Sequence, residues 1–80
     1  MEITYQDSIA TEWKVDISPS SLDYMRTLDD ATLENDLIEG EDWEFVWDRE
    51  DNWMFVYVAN EGSTIEDAVS FLAGKSINIS

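Results

Sequence analysis

An α+β fold, with one mostly antiparallel sheet and helices on one face, follows from three features of the sequence. Residues 42–48 and 53–59 alternate large apolar side chains with the period of two that a strand requires. The turn-forming run Asp48-Arg49-Glu50-Asp51-Asn52 stands between them, as in a β-hairpin. Residues 63–74 read as a capped amphipathic helix. The 80 residues make one domain, 1–80. A chain of this size buries only about 60% of the surface it exposes when unfolded, so the core is small.

Taken in order, Ile3 and Tyr5 alternate with polar neighbours, and Trp13, Val15 and Ile17 alternate with Glu12, Lys14 and Asp16. Strands at 2–6 and 12–17 follow, joined as a hairpin through 6–11. Ser18-Pro19 places a capping residue before a proline at the first helical position. Leu22, Met25, Leu28, Leu33, Leu37 and Ile38 have helical spacing, interrupted by Asp29-Asp30, a pair suited to cap a second short helix. This predicts one kinked helix or two short ones over 20–39, closing at Gly40. In the hairpin, Trp43, Phe45 and Trp47 share one face of the first strand. The second strand is apolar on both faces (Trp53, Phe55, Tyr57 against Met54, Val56, Val58), so it is expected to be central in its sheet. Ser63 and Glu66 fit a capping box, Ile65, Ala68, Val69 and Leu72 make one stripe, and Gly74 suits a left-handed helix end. Ile77 and Ile79 suggest a short last strand. The predicted order is β-β-α-β-β-α-β.

Charge is the informative part of the composition. Nineteen Asp and Glu against four Lys and Arg leave a net charge of −15. Nucleic acids and anionic membranes repel such a chain, so its partners are expected to be basic. Ten aromatic residues argue against an acidic disordered tail. No stretch is long and apolar enough for a membrane span, and the first residues do not resemble a signal peptide, so a cytoplasmic location is expected.

Catalysis has little to work with. The chain has no His and no Cys, which removes the commonest base, the thiolate nucleophile and the commonest zinc ligands. Asp48 to Asn52 has the oxygen-rich alternation of a calcium loop, but Trp53 stands where that loop needs Gly and Ala59 where it needs Glu. No enzyme activity, metal or cofactor is expected. The sequon Asn78-Ile79-Ser80 occurs easily by chance.

The acids are densest between Glu34 and Asp51. Those eighteen residues contain Glu34, Asp36, Glu39, Glu41, Asp42, Glu44, Asp48, Glu50 and Asp51, against Arg49 alone. Asp42 and Glu44, two apart on a strand, project from one face roughly 7 Å apart. A line of anions at such spacing resembles a nucleic-acid backbone, and a groove built to neutralise phosphates would attract it. A charge run is most often just a solvated face. But the charge here exceeds the magnitude of about 2 to 8 that suffices for the solubility of a small domain, and self-repulsion destabilises the fold. Crowding is expected on average to raise the carboxylate pKa values, favouring stability near pH 5 over pH 8. Trp47 and Trp53, near the hairpin end, are expected to be the exposed aromatic anchors.

In size, acidity and the spread of carboxylates over one surface, the chain resembles the small phage-encoded DNA-mimic inhibitors, among them anti-CRISPR and anti-restriction proteins and inhibitors of uracil-DNA glycosylase. The resemblance is one of class and rests on no diagnostic motif. It implies stoichiometric inhibition: an acidic surface occupies the nucleic-acid-binding site of a CRISPR effector, a restriction enzyme or a DNA-repair enzyme, the first being preferred. The alternatives are an adaptor docking through an exposed aromatic patch, and a domain acidified for a salty cytoplasm.

Overall fold

The computed structural model describes residues 1–37 and 42–80. The alternating segments form strands β1 (Glu2–Gln6), β2 (Ala10–Asp16), β3 (Trp43–Val46) and β4 (Trp53–Ala59). They make one sheet in the order β1-β2-β4-β3, with every pairing antiparallel. β4 is central, as its two apolar faces require: a strand flanked on both sides and covered on one face meets little water.

Register settles which residues share a face. Val56 sits opposite Trp13 on one side and Phe45 on the other, so the face bearing Val15, Met54, Val56 and Val58 also carries Trp43 and Phe45. This face packs under the helices. Val15, Met54 and Val56 are fully buried together with Met25 and Leu72 from the helices. Phe71 stacks on Phe45 with ring centroids 6.0 Å apart and meets Trp43 at 5.5 Å.

The helical segment is two helices, α1 (Pro19–Thr27) and α2 (Asp30–Leu37). Asp29 separates them because its carboxylate accepts the Thr32 amide at 2.7 Å, a cap that starts a new helix. Pro19 opens α1 as expected, although the Ser18 hydroxyl makes no capping bond. The expected closure at Gly40 lies outside the described residues.

The last helix, α3 (Ile65–Gly74), starts one residue later than the sequence suggested. Thr64 and Asp67 form the capping box, because the Ser63 hydroxyl is committed to Asp42 at 2.9 Å. The left-handed residue after the helix is Ser76, φ 66°, rather than Gly74. The predicted final strand shrinks to a single bridge between Ile17 and Ile79. Ile77 plugs the core there, and the Asn78 amide donates to the Ser21 hydroxyl at 2.7 Å instead of joining a ladder. The observed order is therefore β-β-α-α-β-β-α. Among the described residues, no helix is long and apolar enough to cross a membrane.

Candidate partner-binding surface

β3 is one of the two outer strands of the sheet, and α2 lies beside it. The two elements bring Glu34 and Glu44, ten residues apart in sequence, to the rim of one groove, together with Asp30. All three carboxylates are on exposed residues. Beyond the end of β3, Asp48 and Glu50 continue the acids into the hairpin loop, where both are exposed. Asp48 is also a turn residue: its carboxylate accepts the Glu50 amide at 3.1 Å, and its carbonyl accepts the Asp51 amide at 2.9 Å. Val46, 45% exposed, interrupts the row between Glu44 and Asp48.

The other predicted members divide. Asp42 is half-buried at the opposite end of β3, held by Ser63 and packed near Gly62. Gly62 adopts φ +102°, and a Cβ there would come within 3.2 Å of the Asp42 carboxylate, so glycine serves both the turn and the close approach. Asp51 is half-buried, and its carbonyl accepts the Trp47 indole N–H at 2.9 Å. Glu39, Glu41 and the side chain of Asp36 lie outside the described residues. The surface thus consists of Glu34, Glu44, Asp48 and Glu50, with Asp30 added by the fold, while Asp42 serves the loop it sits in.

Both aromatic anchors are half-buried rather than standing free. Trp47 packs against the core, because its odd position puts it on the helix-covered face with Trp43 and Phe45. Trp53 lies on the opposite, helix-free face, meeting Phe55 edge-on at 4.9 Å, and Lys14 Nζ sits 4.6 Å above its ring.

Arg49 works inside this acidic region. It reaches back from the hairpin loop and binds the α1–α2 junction. Its guanidinium pairs with Asp30 at 2.6 Å, donates to the carbonyls of Leu28 and Arg26, and lies 5.9 Å from the centre of the Trp47 ring. The planar fork of arginine suits such a multidentate seat. It is structural, and among the described residues no ion pair engages Glu34, Glu44, Asp48 or Glu50.

On the helix-free face, Tyr57 lies between Glu12 of β2 and Glu44 of β3. The Tyr57 hydroxyl donates to the Glu12 carboxylate, and the Thr4 hydroxyl donates to it as well, at 2.7 Å. These bonds hold Glu12 below the usual carboxylate range and push Tyr57 above the usual phenol range, where Glu44 repels the phenolate too. Backbone amides likewise lower Asp7 and Asp29. At these three carboxylates the expected upward shift is reversed, because a local hydrogen-bond donor outweighs diffuse repulsion between solvated charges. The sign follows from linkage: a lowered carboxylate stabilises the fold above its unfolded value and loses that contribution as pH falls through the folded one. The raised Tyr57 contributes below about pH 10, its unfolded value, and loses that contribution as pH rises through the folded value. Glu12→Gln should therefore move the Tyr57 titration to lower pH, as read from tyrosinate absorbance of the folded protein with Tyr57→Phe as the assigning control.

Among the described residues, no group of three or more His, Cys, Asp or Glu is placed to hold a metal ion. Comparison with protein-family models, with curated proteins and with solved structures finds no match to this chain. Its chemistry has to be read from the surface itself: anions presented on a rigid edge, beside a small apolar groove.

Proposed function

We propose that this chain is a stoichiometric inhibitor, not an enzyme, that presents its acidic edge in place of DNA and blocks the nucleic-acid-binding site of a host defence protein. A CRISPR effector is the preferred target, with restriction and DNA-repair enzymes as others of the same basic character. The observation that supports this reading is the run of Glu34, Glu44, Asp48 and Glu50 along α2, β3 and the hairpin loop, on a chain of net charge −15. A basic channel that replaces counterions around phosphates gains electrostatically from such a surface, and the encounter is steered by charge. Binding of this kind weakens as salt rises. With the chain immobilised and a bacterial lysate applied at low salt, nucleic-acid-binding proteins should be retained and should elute as salt increases. Retention of unrelated proteins, or retention indifferent to salt, contradicts the proposal.

A second reading has its own support on the helix-free face. Trp53, Phe55 and Tyr57 form an aromatic row there, with Val46 beside Phe55 and Tyr5 60% exposed at the β1 edge. An adaptor docking through this row would lose binding on Trp53→Ala and tolerate reversal of Glu44 and Asp48. Trp47 does not discriminate between the two readings, since its truncation removes core packing.

A further inference from the structure

Between α2 and β3 runs a groove of about 330 Å³. Leu33, Leu37, Phe45 and Trp47 give it an apolar floor, and Asp30, Glu34 and Glu44 give it an acidic rim. The outer side of β3, at the limit of the sheet, borders it. We infer that this groove takes an extended segment of a protein partner, in which arginine or lysine alternates with an aliphatic residue. The inference deepens the proposed function and rests on it for the basic character of the partner.

Two observations fix the occupant. The first is charge complementarity: Glu34 lines the groove from α2 and Glu44 lines it from β3, where its side chain leaves on the helix-free side of the strand, and among the described residues neither forms an ion pair. An extended chain laid along β3 sends alternate side chains to opposite sides, so one set can meet the apolar floor, with Glu34 beside it, while the other meets Glu44 on the helix-free side. The second is that the chain already seats a guanidinium at one end of the groove. Arg49 pairs with the rim residue Asp30 and lies over the floor residue Trp47. A partner arginine near Glu34 or Glu44 would find the same combination of carboxylate and apolar surface. Outer strands commonly recruit such segments, because main-chain hydrogen bonds supply affinity and alternate side chains supply specificity.

The test uses the whole 80-residue chain and no nucleic-acid-binding protein. The probe is an acetylated, amidated hexapeptide alternating arginine and valine, titrated into isotope-labelled protein and followed by amide and indole chemical shifts. Saturable shifts are expected at Glu34, Glu44, Val46 and the Trp47 indole. The double variant Glu34→Gln, Glu44→Gln should weaken binding about tenfold, a loss of about 1.4 kcal/mol. A peptide with serine in place of valine should bind more weakly than the parent peptide. Shifts scattered over all the acids without saturation, or a hexapeptide affinity unchanged by the double variant or by serine, would overturn the inference. Because the peptide stands alone, failure here leaves DNA mimicry untouched, and failure of the lysate experiment leaves the groove untouched.

Discussion

Reversing Glu44, Asp48 and Glu50 to lysine together is expected to weaken binding to the target by about 100-fold at low salt, with a smaller loss as salt rises. Each of the three is exposed, so reversal leaves the core intact, and the one structural bond given up is that from the Glu50 amide to the Asp48 carboxylate in the solvent-facing turn. Reversal also lowers the net charge, which relieves self-repulsion, so the fold should survive. A thermal melt of the triple variant checks that, and isothermal titration or surface binding measures the affinity. Single reversals should each cost less, since rim charges act mainly through the summed field and the association rate. Asp42, which looked equivalent to Glu44 by spacing, is a poor choice for this experiment: its carboxylate holds Ser63 beside Gly62, and lysine there would disturb the loop before α3. Unchanged affinity in a well-folded triple variant would contradict the acidic edge as the binding surface.

The second large effect falls on stability. Arg49→Ala leaves Asp30 and the Leu28 and Arg26 carbonyls without their shared donor and removes the guanidinium from Trp47. Hydrogen bonds to a charged group contribute about 1.5–3 kcal/mol. The Arg49 side chain is 35% exposed and Asp30 is 89% exposed, so water screens the ion pair and the lower end of that range applies. For a domain of this size a loss near that lower end corresponds to a fall in Tm of roughly 6–12 °C. Arg49→Lys keeps the charge but cannot serve these acceptors with a planar fork, so it should recover less than half of the loss. A Tm equal to that of the unmodified chain in both variants would show that the α1–α2 junction holds without Arg49.

How far the sequence shows this molecule depends on the range of the interaction. β4 was legible because its side chains are apolar at every position, which demands cover on both sides and does not depend on knowing the neighbours. The cap at Asp29 was legible for a similar reason: a carboxylate within three residues of its amide donor needs no tertiary information. Alternation over Ile77 and Ile79 was misleading, since pairing with β2 stops at the single Ile17–Ile79 bridge and the Ser21 hydroxyl, distant in sequence, takes the Asn78 amide. The helix start moved from Ser63 to Thr64 because Asp42, distant in sequence, takes the Ser63 hydroxyl.

The same contrast holds for the site. Glu44, Asp48 and Glu50 could be grouped from spacing along one hairpin. That Glu34 and Glu44 come to line one groove depends on α2 lying beside this outer strand, and no local pattern encodes it. The seat of Arg49 was invisible for the same reason: in sequence it is a single cation within a turn, while in the fold it ties two helices to the loop. The pairing of Glu12 with Tyr57 required the β2–β4 register, which alternation alone leaves open by any even number of residues.

The account turns on whether this chain and DNA compete for one place on the target. The direct measurement is the affinity of the chain for its captured partner at increasing concentrations of duplex DNA. The acidic edge predicts strict competition, with the apparent Kd rising in proportion to DNA and no complex containing all three components. A stable assembly of partner, DNA and this chain together would contradict it.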